Sequence, residues 1–78
     1  MAELQKTLHD IAAAIVDNPD EVKVLYEEDD DTITMTLSVA PDDMGMVIGR
    51  HGKIAKAIRT VIKAAAAPGG KKVNVEIR

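Results

Sequence analysis

The 78-residue sequence predicts an α+β domain with the element order αββααβ, on three patterns. Leu4, Leu8, Ile11 and Ile15 recur at helical spacing near the N-terminus. Thr32 to Val39 alternates polar and apolar residues without a break, which is the signature of a half-buried strand. A second helical pattern after Gly52 ends at Pro68-Gly69-Gly70 and gives way to a last alternating run. No linker, repeat or low-complexity tract divides these segments, so a single domain over residues 1–78 is expected. Such a chain lies near the lower limit for one self-sufficient core. With no cysteine, neither disulfides nor thiolate ligands can supplement that core, which suits a reducing cytoplasm.

Taken in order, residues 3 to 17 form the first amphipathic helix, stopped by Asp17-Asn18-Pro19-Asp20. Val22, Val24 and Tyr26 then alternate with Lys23, Leu25 and Glu27 as the first strand. The acidic run Glu27 to Asp31 is a solvated turn. It lacks the spaced ligands and turn glycine of a calcium loop. In the next strand Ile33, Met35, Leu37 and Val39 face one way, and Thr32, Thr34, Thr36 and Ser38 the other. The two strands are expected to pair as an antiparallel hairpin. Pro41 and the acids Asp42 and Asp43 suit the start of a short helix, which runs to Ile48 and stops at Gly49. The second long helix covers His51 to Ala67, with Ile54, Ile58, Val61, Ile62 and Ala65 on one side and Lys53, Lys56, Arg59 and Lys63 on the opposite side. The final strand, Lys72 to Arg78, alternates Val73, Val75 and Ile77 with Asn74 and Glu76.

Charge divides the chain in two. Met1 to Asp43 carries twelve acidic and two basic residues, whereas Met44 to Arg78 carries eight basic and one acidic. The overall charge of −3 therefore hides a basic half that can attract a polyanion while the acidic half keeps the molecule soluble. No apolar run approaches the ~20 residues that span a bilayer, and no hydrophobic leader precedes a cleavage site. A cytoplasmic protein without a membrane partner is expected.

The basic half contains Val47-Ile48-Gly49-Arg50-His51-Gly52-Lys53. Two glycines flanking cationic side chains, with a helix directly behind, suit an anionic backbone. A nucleotide P-loop would need glycine at position 47 and a hydroxyl at 54, where Val47 and Ile54 stand. A dinucleotide fingerprint fails at position 47 as well. Gly45-x3-Gly49 has the spacing of a membrane dimer motif but lies in no apolar span. A Gly-x-x-Gly turn between two helices does fit. Val47-Ile48-Gly49-Arg50-His51-Gly52-Lys53-Ile54 closely resembles the signature of the KH domain, apolar-Ile-Gly-x-x-Gly-x-apolar. The order αββααβ is similar to the type II, bacterial KH arrangement. That resemblance implies a three-stranded mixed sheet packed on three helices.

The resemblance extends over nearly the whole chain and is strongest to the small bacterial single-KH proteins. It implies an RNA chaperone that clamps about four single-stranded nucleotides. It also implies action with a larger KH-containing partner and an influence on cell length and peptidoglycan homeostasis. The residues it places at the RNA are Ile48, Gly49, Arg50, His51, Gly52, Lys53, Lys56 and Arg59. For Lys56, Arg59 and Lys63 a plain solvated helix face is the alternative. The match has two departures: Ala55 stands where many KH loops carry a large aliphatic, and Met46 where a basic residue is frequent.

Arg50 can form paired hydrogen bonds to phosphate, whereas Lys53 acts as a point charge. Phosphate beside His51 would favour its protonated form, so RNA affinity should rise toward pH 6. Tyr26 is the only aromatic residue, so stacking on bases is nearly unavailable and low base selectivity is expected. A second function class remains: a protein-interaction module, in which Ala57, Val61 and Ala64 form a small-residue patch for a dimer contact. Contact of that patch with the first helix of the same domain is the alternative. No cofactor or metal is expected, since the two histidines make no convincing pair. Catalysis is not expected either, because there is no cysteine and the only serine, Ser38, lies in a strand pattern without a histidine partner.

Overall fold

The computed structural model describes residues 2–78. Helix α1 spans Ala2–Ile15, strands β1 and β2 span Lys23–Glu28 and Thr32–Ser38, and helix α2 spans Met44–Ile48. Helix α3 covers Lys53–Ala66 and strand β3 covers Lys72–Ile77. Single 3-10 turns at Pro19–Glu21, Pro41–Asp43, Arg50–Gly52 and Ala67–Gly69 stand at the joints. Three of them carry the chain's prolines at their first or second position. There the missing N–H is no loss, because a first-turn N–H has no helical partner.

β2 is the central strand. It pairs with β1 antiparallel and with β3 parallel, giving the mixed sheet β1-β2-β3. The register aligns Val24, Leu37 and Ile77 in one row across the sheet and Tyr26, Met35 and Val75 in the next. Alternation puts all six on one face, and the helices cover that face. Met35 and Leu37 have no exposed surface, so truncating either to alanine would cost about 2–5 kcal/mol. Asp29 closes the hairpin between β1 and β2: its Oδ1 accepts from the N–H groups of Asp31 (3.0 Å) and Thr32 (2.8 Å). The predicted acidic turn is thus confined to 29–31, and Glu27 and Glu28 belong to β1.

Each edge strand has a carbonyl tied to a helix. Gln5 of α1 donates to the Val24 carbonyl at 2.7 Å, and the Nε of Arg59 in α3 donates to the Val75 carbonyl at 3.1 Å. These bonds satisfy backbone acceptors that an edge would otherwise leave to solvent or to another chain.

Two expectations about the core need correction. In α1 the buried residues are Leu4, Leu8 and Ala12, with Val16 just beyond its end, while Ile11 and Ile15 are only partly buried. In α3 the buried residues are Ala55, Ile58, Ile62 and Ala66, whereas Ile54 and Val61 are exposed, as is Ala65. In α3 both faces mix alanine with larger residues, so the choice between them is made by β3 and α1, against which the inward face packs, and not by composition. The sequence predicts one apolar stripe on α3. It is two stripes side by side, and only one of them is core.

Candidate nucleic-acid interface

The segment between α2 and α3 is shaped by backbone conformations that most residues avoid. α2 closes with the Gly49 N–H donating to the Gly45 carbonyl at 2.9 Å. Gly49 itself then takes φ 75°, ψ 174°, a region essentially restricted to glycine. Its Cα lies against Ile54: a Cβ at this position would come within 2.8 Å of the Ile54 Cβ and 3.0 Å of the Ile54 backbone nitrogen. After Arg50, His51 (φ 57°, ψ 25°) and Gly52 (φ 74°, ψ 13°) are both left-handed. The Gly52 N–H donates to the Gly49 carbonyl at 3.2 Å, and the Lys53 N–H donates to Arg50. Three positive φ angles in four residues therefore fold the chain into a tight turn that delivers it into the first turn of α3. A Cβ on Gly52 would meet nothing within 4 Å, so that side of the turn is open.

His51 is the one non-glycine residue with positive φ among those described. Histidine tolerates this region better than most residues, yet the conformation still costs about 1–3 kcal/mol. Strain of this kind collects at ligand clamps. The turn projects Arg50 and His51 into solvent, with Lys53 and Lys56 on the first turns of α3. None of the four makes an ion pair or side-chain hydrogen bond among the described residues. Beside them are exposed apolar side chains: Met46 at 39%, Ile48 at 40% and Ile54 at 38%. The arrangement offers uncommitted cations, an accessible backbone and an aliphatic surface, with the positive end of the α3 dipole behind them.

α3 sorts its remaining residues by face. Advancing about 100° per residue, Lys56, Arg59 and Lys63 fall within roughly 60° of one another. Because Arg59 bonds the Val75 carbonyl, this basic row looks toward the β3 edge. Lys53 lies off that row, so the predicted four-residue stripe is a three-residue row plus one lysine nearer the turn. Ala57, Val61 and Ala64 are exposed on another face, together with Ile54; α1 does not cover them.

Tyr26 lies on β1, the edge strand opposite β3, half-buried against the core, with its hydroxyl donating to Glu28 at 2.9 Å. It is not beside the turn. The sequence predicts helix-start chemistry for Asp43, but its carboxylate makes no capping bond to α2. It is 1% exposed and accepts from the N–H groups of Asp17 (3.4 Å) and Asn18 (3.0 Å), and from the Asn18 side-chain amide (3.1 Å). Asp43 thereby fastens the start of α2, and so the near side of the turn, to the loop after α1. Nothing in the local sequence distinguishes Asp43 from its exposed neighbour Asp42.

Comparison with known proteins gives consistent results. The family model described as KhpA/KhpB, KH domain, matches residues 5–77. The RNA-binding protein KhpA of Clostridium acetobutylicum is 54% identical over 74 residues, covering 95% of this chain and 99% of its own. KhpA of Caldanaerobacter subterraneus subsp. tengcongensis is 54% identical over 77 residues, covering 99% of each chain. KhpA of Listeria monocytogenes is 42% identical over 74 residues, with 95% and 97% covered. Among solved structures, a variant of Aquifex aeolicus Era bound to GDP.AlF4- superposes with a TM-score of 0.69 at 17% identity, covering 95% of this chain and 29% of that one. Era in complex with MgGDPNP and nucleotides 1506-1542 of 16S ribosomal RNA superposes equally well, with 28% of that chain covered. At this identity the likeness to Era is one of fold. With the αββααβ order, the mixed sheet and the glycine turn in place, the near full-length match shows that this chain belongs to the KhpA/KhpB KH-domain family.

Proposed function

We propose that this chain is a non-catalytic RNA-binding protein, a single KH domain over residues 1–78, that grips the backbone of about four single-stranded nucleotides. The observation that carries the proposal is the turn itself. Gly49, His51 and Gly52 hold positive φ angles, and Arg50, His51 and Lys53 stand beside them with no side-chain partner among the described residues. In this reading phosphate oxygens meet backbone N–H groups and Arg50 at the turn, while Lys53 and Lys56 add charge. Ile48 and Ile54 supply an apolar surface for bases, and Arg59 borders the strand while holding β3. The name RNA-binding protein carried by relatives at 54% identity supports the same reading.

Family resemblance extends the proposal to RNA chaperoning in the cytoplasm and to action with KhpB, in post-transcriptional control affecting cell length and peptidoglycan homeostasis. No helix among the described residues is long and apolar enough to cross a membrane.

The test replaces Arg50 and His51 by aspartate and measures retention of short oligoribonucleotides. Binding should be lost while the circular dichroism spectrum and melting temperature stay near those of the parent. Unchanged retention would refute the clamp.

A second reading, a dimerisation module, is favoured by one specific observation: Ala57, Val61 and Ala64 are exposed, with Val61 at 50%. A small-residue face lets another helix approach closely. Val61→Tyr should shift a monomer–dimer equilibrium toward monomer in sedimentation, and an equilibrium indifferent to it would discard this face for a homodimer; the same variant mixed with KhpB tests a heterodimer.

A further inference from the structure

At the end of α3 remote from the glycine turn, Lys63, Lys71, Lys72, Val73 and Asn74 line an open pocket of about 330 Å³. The lysines there differ in their commitments. Lys71 pairs with the Glu28 carboxylate and donates to the Asp29 carbonyl at 2.9 Å, so its charge is largely answered. Lys63 and Lys72 make no ion pair or side-chain hydrogen bond among the described residues. Asn74 adds a neutral amide that can both donate and accept.

The pocket's place follows from two contacts. Arg59 meets Val75, and one turn further along α3 Lys63 shares the pocket with Val73 and Asn74. Helix numbers rise as strand numbers fall, so α3 and β3 run antiparallel, side by side. The row Lys56, Arg59, Lys63 lies along the α3 side of that seam and ends in the pocket. From Lys53 to Lys63 the helix advances about 15 Å.

We infer that this lysine pocket is a second phosphate subsite, which holds the RNA strand beyond the nucleotides clamped at the glycine turn. The inference rests on the RNA reading given above. A polyanion held at Gly49–Gly52 and laid along the basic row arrives at the two uncommitted lysines. Four nucleotides occupy the turn and the aliphatic surface beside it, and a longer strand engages the pocket as well. Affinity therefore depends on length, not only on sequence.

The experiment compares a tetra- and an octauridylate on the full chain, by fluorescence anisotropy across a salt series, for the parent and for Lys72→Gln/Asn74→Ala. Both substituted residues are exposed, and comparison on the same oligonucleotide removes the effect of its extra binding registers. The expected result is unchanged tetramer affinity and a roughly tenfold loss for the octamer. The octamer's salt slope should fall by about 0.7 for the one cation removed. Equal losses for tetramer and octamer would overturn the subsite, since they would report only the general field of the protein. An octamer affinity untouched by the substitutions would overturn it too, while leaving the clamp standing. If the parent binds neither oligonucleotide, the RNA reading falls and the subsite with it.

Discussion

Replacing each loop glycine by alanine should separate the two jobs of the turn. At Gly49 the backbone sits at φ 75°, ψ 174°, where a Cβ costs about 1–3 kcal/mol by conformation alone. The added methyl also meets the Ile54 Cβ at 2.8 Å and its backbone nitrogen at 3.0 Å, which a rotamer change cannot relieve. Overpacking of that kind adds about 1–3 kcal/mol, so a loss near 4 kcal/mol is expected. For 78 residues total stability is on the order of 4–12 kcal/mol, so the domain would be left marginal. At Gly52 the conformation is ordinary left-handed and the space around a Cβ is open, so the loss should be about 1–2 kcal/mol. Urea titration followed by circular dichroism measures both. In thermal melts Gly52→Ala should lower Tm by roughly 4–16 °C and Gly49→Ala by more. RNA affinity should fall in Gly52→Ala beyond what its stability explains, because its methyl stands where the phosphate approaches. A double-mutant cycle with Ile54→Ala should recover part of the Gly49→Ala loss, since it removes the Ile54 Cγ1, the atom nearest the new methyl, while the contacts to the Ile54 Cβ and backbone nitrogen remain. Equal stability losses at the two glycines, or no coupling to Ile54, would refute the account of the turn.

Asp43→Ala should destabilise by about 1.5–3 kcal/mol, because three N–H donors lose a charged acceptor, while Asp42→Ala, at an exposed neighbour, should stay within ~0.5 kcal/mol in the same denaturation assay. The hydrogen bond from Lys71, and then that from Tyr26, hold the Glu28 carboxyl below its ordinary value of 4.5. A depressed acid contributes stability above its unfolded pKa and loses it as pH falls through the folded one. Lys71→Met should therefore lower Tm at pH 7 and flatten its decline below about pH 4.5 in melts across pH 3 to 7. With two to four phosphate contacts, log affinity for a tetranucleotide should fall against log salt with a slope of roughly −1.5 to −3.

The fold was readable because its signals are local. Strict alternation in β2, the stops at Pro19, Gly49 and Pro68, and the glycine turn each follow from one residue's own geometry. What stayed hidden depends on which neighbour a side chain meets. Ile54 and Val61 satisfy the same helical periodicity as Ile58 and Ile62, and only the packing of α3 against β3 and α1 decides which pair goes inside. Asp43 is indistinguishable from Asp42 until Asn18, twenty-five residues away, is brought against it. The lysine pocket was equally invisible, since Lys63, Lys72 and Asn74 come from two elements that meet only in the folded chain. Arg59 appeared as one cation in a row, but its bond to Val75 makes it a structural tie as well.

The acidic balance of the chain and its proposed polyanionic ligand are compatible because the cations at the glycine turn and along α3 make no ion pair with an acid among the described residues. β2 and the helices after it connect an N-terminal half, where Lys6 and Lys23 are the only basic residues, to a half in which Glu76 is the only acid. Several acids are spent internally: Asp43 on the loop after α1, Asp29 on the hairpin, Glu28 on Lys71. On α3 the same sorting occurs within fourteen residues, which give one face to the core, one row of cations to the β3 edge and one small apolar strip to solvent. Those faces need not compete. A strand of RNA along the basic row leaves Ala57, Val61 and Ala64 uncovered, so a dimer formed through them could hold two glycine turns at once. Two weak clamps on one strand raise the effective concentration of the second, and affinity follows without any new contact to the bases. Low base selectivity, expected of a turn with no aromatic residue beside it, is then compatible with useful retention of RNA.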